Sequence, residues 1–189
     1  MKSIYLFNEL KKIKMEDQAS SKSIILNNGL YYGLILVLTS VITYALGMHL
    51  DPTAGYINLA ILVVILIAFP IIGLSKFKKA NGGFMSWSQG VKIGIGIILI
   101  GTLISIIYQH LFTSFIEPDF YKQVEEITRT TLLDGGLSEE QIDSQLSMQG
   151  KFQGTIMGDA LSLLFMTFIG FIVSAIVAAV KKHTEEDAY

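Results

Sequence analysis

Ile116-Glu117-Pro118-Asp119-Phe120 opens a polar stretch, residues 113–154, that lies between two long apolar runs near the C-terminal end. Pro118 suits the first position of a helix, with Glu117 and Asp119 at the positive end of its dipole. Phe120, Val124 and Ile127 then recur at i, i+4 and i+7, and Lys122, Glu125, Glu126 and Arg129 fill the other faces. Gly135-Gly136 breaks the run. Ser138 with Gln141 forms a capping box for a second helix, whose apolar face continues through Ile142 and Leu146. The stretch reads as an amphipathic, acidic helical hairpin, and the chain around it reads as membrane spans.

Composition supports that frame. Of 189 residues, 51% are hydrophobic and 16% charged, a balance that belongs to the membrane class. There is no cysteine, which excludes a disulfide scaffold, thiolate metal ligands and a Cys nucleophile.

Four apolar runs have spanning length: about 29–47, 56–74, 87–112 and 155–180. At 1.5 Å per residue the shortest covers roughly 28 Å, close to the hydrocarbon thickness. The second run contains thirteen Ile, Leu, Val and Phe residues and no charge. Its insertion is favoured by about 4 to 8 kcal/mol before other terms. Pro52 is expected to stop one helix and Pro70 to kink the next. Ser86 with Gln89 reads as a capping box opening the third span. Small residues recur on single arcs: Gly29, Gly33, Ser40 and Gly47 in the first span, and Gly90, Gly94, Gly101 and Ser105 in the third. Gly154, Gly158 and Ser162 open the fourth. Such stripes admit a neighbouring helix closely, so Gly29, Gly33, Gly90, Gly94, Gly101 and Gly158 are expected to be packing positions.

The chain divides into a polar N-terminal tail, 1–23, a membrane domain, 24–182, and a soluble tail, 183–189. In the first tail Ile4, Phe7, Leu10 and Ile13 recur every third residue, which suits an interfacial amphipathic helix; a disordered tail suits the composition equally. Met15 is an alternative start. The N-terminal tail, the 75–92 region and the C-terminal tail hold most of the basic residues, while 113–154 is acidic. By the retention of positive charge in the cytoplasm, both termini are expected inside and the insert outside, in a bacterial inner membrane.

The chain resembles a family of small bacterial four-span membrane proteins of unknown function. The likeness covers about 24–182 and rests on Asn28 with Tyr32-Gly33, Lys79 with Asn81-Gly82-Gly83-Phe84, Gly90 with Lys92 and Gly94, Ile116-Glu117-Pro118-Asp119-Phe120, and Glu139-Glu140-Gln141-Ile142. It implies four helices with a soluble insert before the last one, and no activity.

Candidate chemistry is sparse. His49, Asp51, His110, Glu117, Asp119 and Asp159 fall near the outer interface, but their spacing matches no metal-ligand motif. Asp159 reads as an acid placed at a favourable helix N-terminus rather than as a relay. No zincin, nucleophile-elbow or phosphate-loop signature occurs, so neither enzyme activity nor a cofactor is expected. The fold expected is an all-α integral membrane four-helix bundle with an extracytoplasmic helical hairpin between spans three and four. The favoured role is an accessory, assembly or envelope-interaction subunit. Its protein partner would meet the hairpin at Glu117, Pro118, Asp119, Phe120, Val124 and Ile127. The alternative is a small homo-oligomeric transporter or channel for ions or small solutes. Lipid is an expected partner and nucleic acid is not.

Overall fold

The computed structural model describes residues 2–183, with side chains from residue 21 onward. Its described residues form six α-helices: α1 (Lys2–Ala45), α2 (Pro52–Ala80), α3 (Trp87–Leu111), α4 (Phe120–Asp134), α5 (Glu139–Gly150) and α6 (Ile156–Lys181). One π-helical turn, Phe112–Ile116, extends α3. No strand occurs among the described residues; a single bridge joins Met85 to His183. The side chains of the N-terminal stripe, Ile4 to Ile13, lie outside the described set, as do residues 184–189 of the C-terminal tail.

Four segments are long and apolar enough to cross a membrane: Ser21–Ala45, Pro52–Ala80, Trp87–Ile116 and Ile156–Lys181. Their outward faces agree with lipid contact. Leu164, Phe165, Phe168 and Ile176 on α6, and Leu59 and Val64 on α2, are all exposed. A water-soluble protein rarely leaves so continuous an apolar surface. The chain is a multi-pass membrane protein.

Local chemistry explains the boundaries. Asp51 caps α2 by accepting from the Thr53 N–H at 2.7 Å, with Pro52 in the first turn where its missing donor costs nothing. Pro52 therefore starts a helix as well as ending the previous connection, and the helical run continues through Pro70. Both sequence-read capping boxes are formed, Ser86 with Gln89 and Ser138 with Gln141. Pro118 precedes α4, which begins two residues later at Phe120. Gly47 lies beyond the end of α1, in a turn with φ of 68° that a side chain would strain. It is consequently not part of the α1 packing stripe.

α3 packs against α1, α2 and α6, and α2 also packs against α1 and α6. Glycines set the closest approaches. A Cβ on Gly29 would lie 2.6 Å from Ile100 Cβ, and one on Gly33 would lie 2.8 Å from Ile104 Cβ. Gly101 lies against the Tyr32 ring, Gly90 against Ala178, and Gly94 against Ser174. Gly158 differs: its neighbour is the Phe152 carbonyl in the turn before α6, not another helix.

The dense core of Tyr32, Phe69, Leu74, Phe77, Met85, Ile93 and Ile97 occupies the half of the molecule away from α4 and α5. The other half, toward the insert, holds the cavities bordered by His49, Gln109 and Asp159.

Candidate functional site

The insert is seated on the α1–α2 turn by aromatic contacts and a histidine–carboxylate approach. The turn at Gly47 brings His49 beneath the end of α1, with its ring centroid 4.8 Å from that of Tyr44. The π turn adds one residue to the last turn of α3, closed by the Glu117 N–H donating to the Phe112 carbonyl at 2.9 Å. Phe112 is thereby buried among Tyr44, Tyr108 and Phe120, at centroid distances of 5.2, 5.9 and 5.5 Å. A pair such as Phe112–Phe120 is worth about 0.5–1.5 kcal/mol beyond its buried area. Glu117 faces His49, with Oε2 3.5 Å from Nε2. That is ion-pair distance, and past a well-made hydrogen bond. Both His49 ring nitrogens are buried without a hydrogen-bond partner among the described residues, and the other Glu117 oxygen accepts from Gln123 Nε2 at 2.8 Å.

A second histidine–carboxylate pair ties α3 to α6. His110 Nε2 lies 2.6 Å from Asp159 Oδ2, and both side chains are partly exposed. The contact is a hydrogen bond whose direction follows the imidazole tautomer. Thr155 caps α6 by accepting from the Gly158 N–H at 3.1 Å, which sets Asp159 in the first turn. The dipole placement read from the sequence is present, and His110 is an added partner that the sequence did not reveal.

Near these pairs the helices border two neighbouring, partly open cavities. One, of about 350 Å³, is lined by Thr39, Ser40 and Thr43 of α1, Asn58 of α2, Gln109 of α3, and His49, together with Leu36, Leu62, Phe112 and Phe120. The other, of about 600 Å³, is lined by Thr102, Ser105, Gln109, Gln149, Gln153, Asp159 and Ser162 among apolar side chains including Leu36, Leu62 and Met166. Leu36, Leu62 and Gln109 border both. Thr39 and Thr43 donate to the carbonyls one turn earlier, at 2.8 and 2.7 Å, and Thr43 Oγ1 also approaches Asn58 Oδ1 at 3.3 Å. The buried Thr102 hydroxyl has no hydrogen-bond partner among the described residues. Thr102 precedes the end of α3 by nine residues, placing it roughly 14 Å inside at 1.5 Å per residue, near mid-membrane. Apolar walls with a few convergent polar groups are the usual make-up of a small-molecule site.

Thr102, Gln109, Asn58 and the α1 hydroxyls are not among the candidate residues read from the sequence. The signal was present: Thr102, Ser105 and Gln109 recur at i, i+3 and i+7 on one face of α3. Ser105 was instead grouped with the glycines as a small packing residue.

The residues expected to meet a partner are distributed differently. Glu117 and Phe120 are engaged internally as described. Val124 and Ile127 are half-buried, on the helix that packs against α5. Pro118 and Asp119 are exposed, and Asp119 pairs with Lys122 at 2.8 Å. Hydrogen bonding to Asp119 raises the Lys122 pKa. Arg129 joins the two insert helices, bonding Glu139 at 2.9 Å and Asp143 at 2.6 Å, and the Asp143 bond raises its pKa further above its already high value. Among the described residues, no three His, Asp or Glu side chains are grouped to hold a metal ion.

Residues 27–183 match the family described as protein of unknown function (DUF4199), nearly the same stretch that carried the resemblance. No curated protein and no solved structure matches the chain.

Proposed function

The chain belongs to the DUF4199 family, and from that premise we propose that it is a solute-binding membrane protein, of the transporter or channel class. It takes a small polar or amphipathic solute, or an ion, into a vestibule beneath the helical insert. The observation that carries the reading is the asymmetry of packing: a dense apolar core in one half, and in the other two adjoining cavities with polar groups reaching to Thr102. In this reading α4 and α5 form a hairpin over the vestibule mouth, and Glu117–His49 and His110–Asp159 hold the mouth to α1, α2 and α6.

Charge supports the orientation expected from sequence. Every Asp and Glu in 21–183 lies at the insert end, from Asp51 through Glu117–Asp143 to Asp159, while Lys22, Lys76, Lys78, Lys79, Lys92, Lys181 and Lys182 lie at the other. The lysine end is cytoplasmic and the vestibule opens outward across a bacterial inner membrane.

The natural absence of cysteine makes the test direct. Single cysteines at Ser40, Ser105 and Gln109, which line the cavities and are partly exposed, should react with a membrane-impermeant maleimide added from the insert side, whereas cysteine at the exposed apolar Leu103 should not. Equal, slow labelling at all four positions would mean a dry interior and end the vestibule reading.

A second reading retains a protein partner at the insert, with the chain as an accessory subunit and no catalytic role of its own. It is favoured by the exposure on the insert of acidic Glu125, Glu126 and Glu140 and of apolar Leu133 and Met148. Removing 117–150 should then leave insertion intact and abolish co-purification of a stoichiometric partner; retention of that partner would refute it.

A further inference from the structure

We propose that the lysine-bearing end of the bundle is a docking site for the phosphate headgroups of anionic membrane lipids. Three ammonium groups there are anchored rather than free. Lys76 Nζ donates to Asn28 Oδ1 at 3.0 Å, tying α2 to α1. Lys78 Nζ donates to the Lys181 carbonyl at 3.0 Å, and Lys181 Nζ donates to Ser75 Oγ at 2.9 Å, so α2 and α6 are cross-tied in both directions. The acceptors are all neutral. Each tie uses one of the three N–H donors of a lysine and cancels none of its charge.

Among the described residues the ion pairs all lie at the insert end, and none involves Lys76, Lys78 or Lys181; Glu16, Asp17, Glu185, Glu186 and Asp187 flank this end in the sequence, outside the described side chains. Topology alone does not account for this arrangement. Retention of positive charge needs only the number of lysines in a loop, whereas here the ammonium groups are fixed against the helix ends. A lysine already held in place loses less side-chain entropy when it meets an anion.

The surroundings favour a lipid over a dissolved anion. Trp87, 43% exposed, lies at the same end and donates its indole N–H to the Ala175 carbonyl at 3.1 Å. Phe84 stacks on His183, with centroids 5.5 Å apart. The backbone pairing of Met85 with His183, at 2.8 and 3.0 Å, holds the 81–86 connection against the end of α6. An aromatic belt at headgroup level beside fixed cations presents both halves of an anionic lipid with a partner. This inference stands independently of the vestibule.

The test uses the full-length protein in mild detergent, supplied with equimolar phosphatidylglycerol and phosphatidylcholine and examined by native mass spectrometry. Wild type should retain phosphatidylglycerol preferentially. The triple variant Lys76→Gln, Lys78→Gln, Lys181→Gln should lose most of that preference, on the order of fivefold per lysine. The corresponding Lys→Arg triple should keep it, which separates lost charge from lost folding. Lys122→Gln with Lys151→Gln, at the other end, should change nothing. No lipid preference in wild type, an undiminished preference in the Gln triple, or displacement of the lipid by excess inorganic phosphate would each overturn the proposal.

Discussion

Gly94→Ala tests the packing that holds α3 to α6. An added Cβ would meet Ser174 Oγ, Ser174 Cβ at 2.6 Å and Ser174 Cα at 3.5 Å. The hydroxyl can rotate away, but the Ser174 Cβ cannot move without its helix. Normal contact between carbon atoms is about 3.5–4.0 Å, so the two helices must separate locally by roughly 1 Å. Overpacking of this size costs about 1–3 kcal/mol. Against it stands the better helix propensity of alanine, worth about 0.8–1.0 kcal/mol. The net expectation is destabilisation by up to about 2 kcal/mol, read by thermal or denaturant unfolding in a fixed detergent. Two further variants isolate the cause. Gly55→Ala, on α2 with nothing within 4 Å of its added Cβ, should be neutral or stabilising. Ser174→Gly in the Gly94→Ala background should recover most of the loss, giving a favourable coupling in a double-mutant cycle. A Gly94→Ala protein as stable as wild type, with no coupling to Ser174, would refute the close approach of α3 and α6.

Three smaller predictions concern the insert and its seat. Gly136 has φ of 82°, so Gly136→Ala should destabilise the α4–α5 turn by about 1 kcal/mol, seen as faster amide exchange in α5. Arg129→Ala should also speed exchange in α5, and the difference should shrink at high salt because the pairs with Glu139 and Asp143 are solvent-accessible. The Lys122 pKa is raised on folding, so its pairing contributes fully below the unfolded lysine value of about 10.4 and is lost only as pH rises through the folded value. Lys122→Met should therefore leave the shape of a stability curve between pH 6 and 8 unchanged; a slope in that window that disappears in Lys122→Met would contradict the assignment.

Sequence by itself determined what depends on local chemistry and on the solvent. Four apolar runs of spanning length, the acidic stretch between the last two, the Gly135-Gly136 break and both capping boxes follow from hydropathy, backbone freedom and groups three residues apart. The small-residue arcs at Gly29 and Gly33 and at Gly90, Gly94 and Gly101 are visible in the sequence because a stripe is a property of one helix. What the stripe could not reveal was which helix it faces, nor that Gly158 meets a carbonyl of its own chain segment. The π turn was likewise hidden, since apolar Phe112–Ile116 fits a regular end of the span as well as a widened one. The site itself was decided by tertiary structure. His49 and Glu117 are 68 positions apart in number and His110 and Asp159 are 49 apart, so each pairing exists only once the helices are arranged. Thr43, Asn58, Thr102 and Gln109 are, taken singly, ordinary polar residues near the ends or middle of apolar helices. They become the linings of two adjoining cavities, with Gln109 bordering both, because the helices turn those faces together, and helix–helix orientation is set by long-range packing that no local pattern encodes.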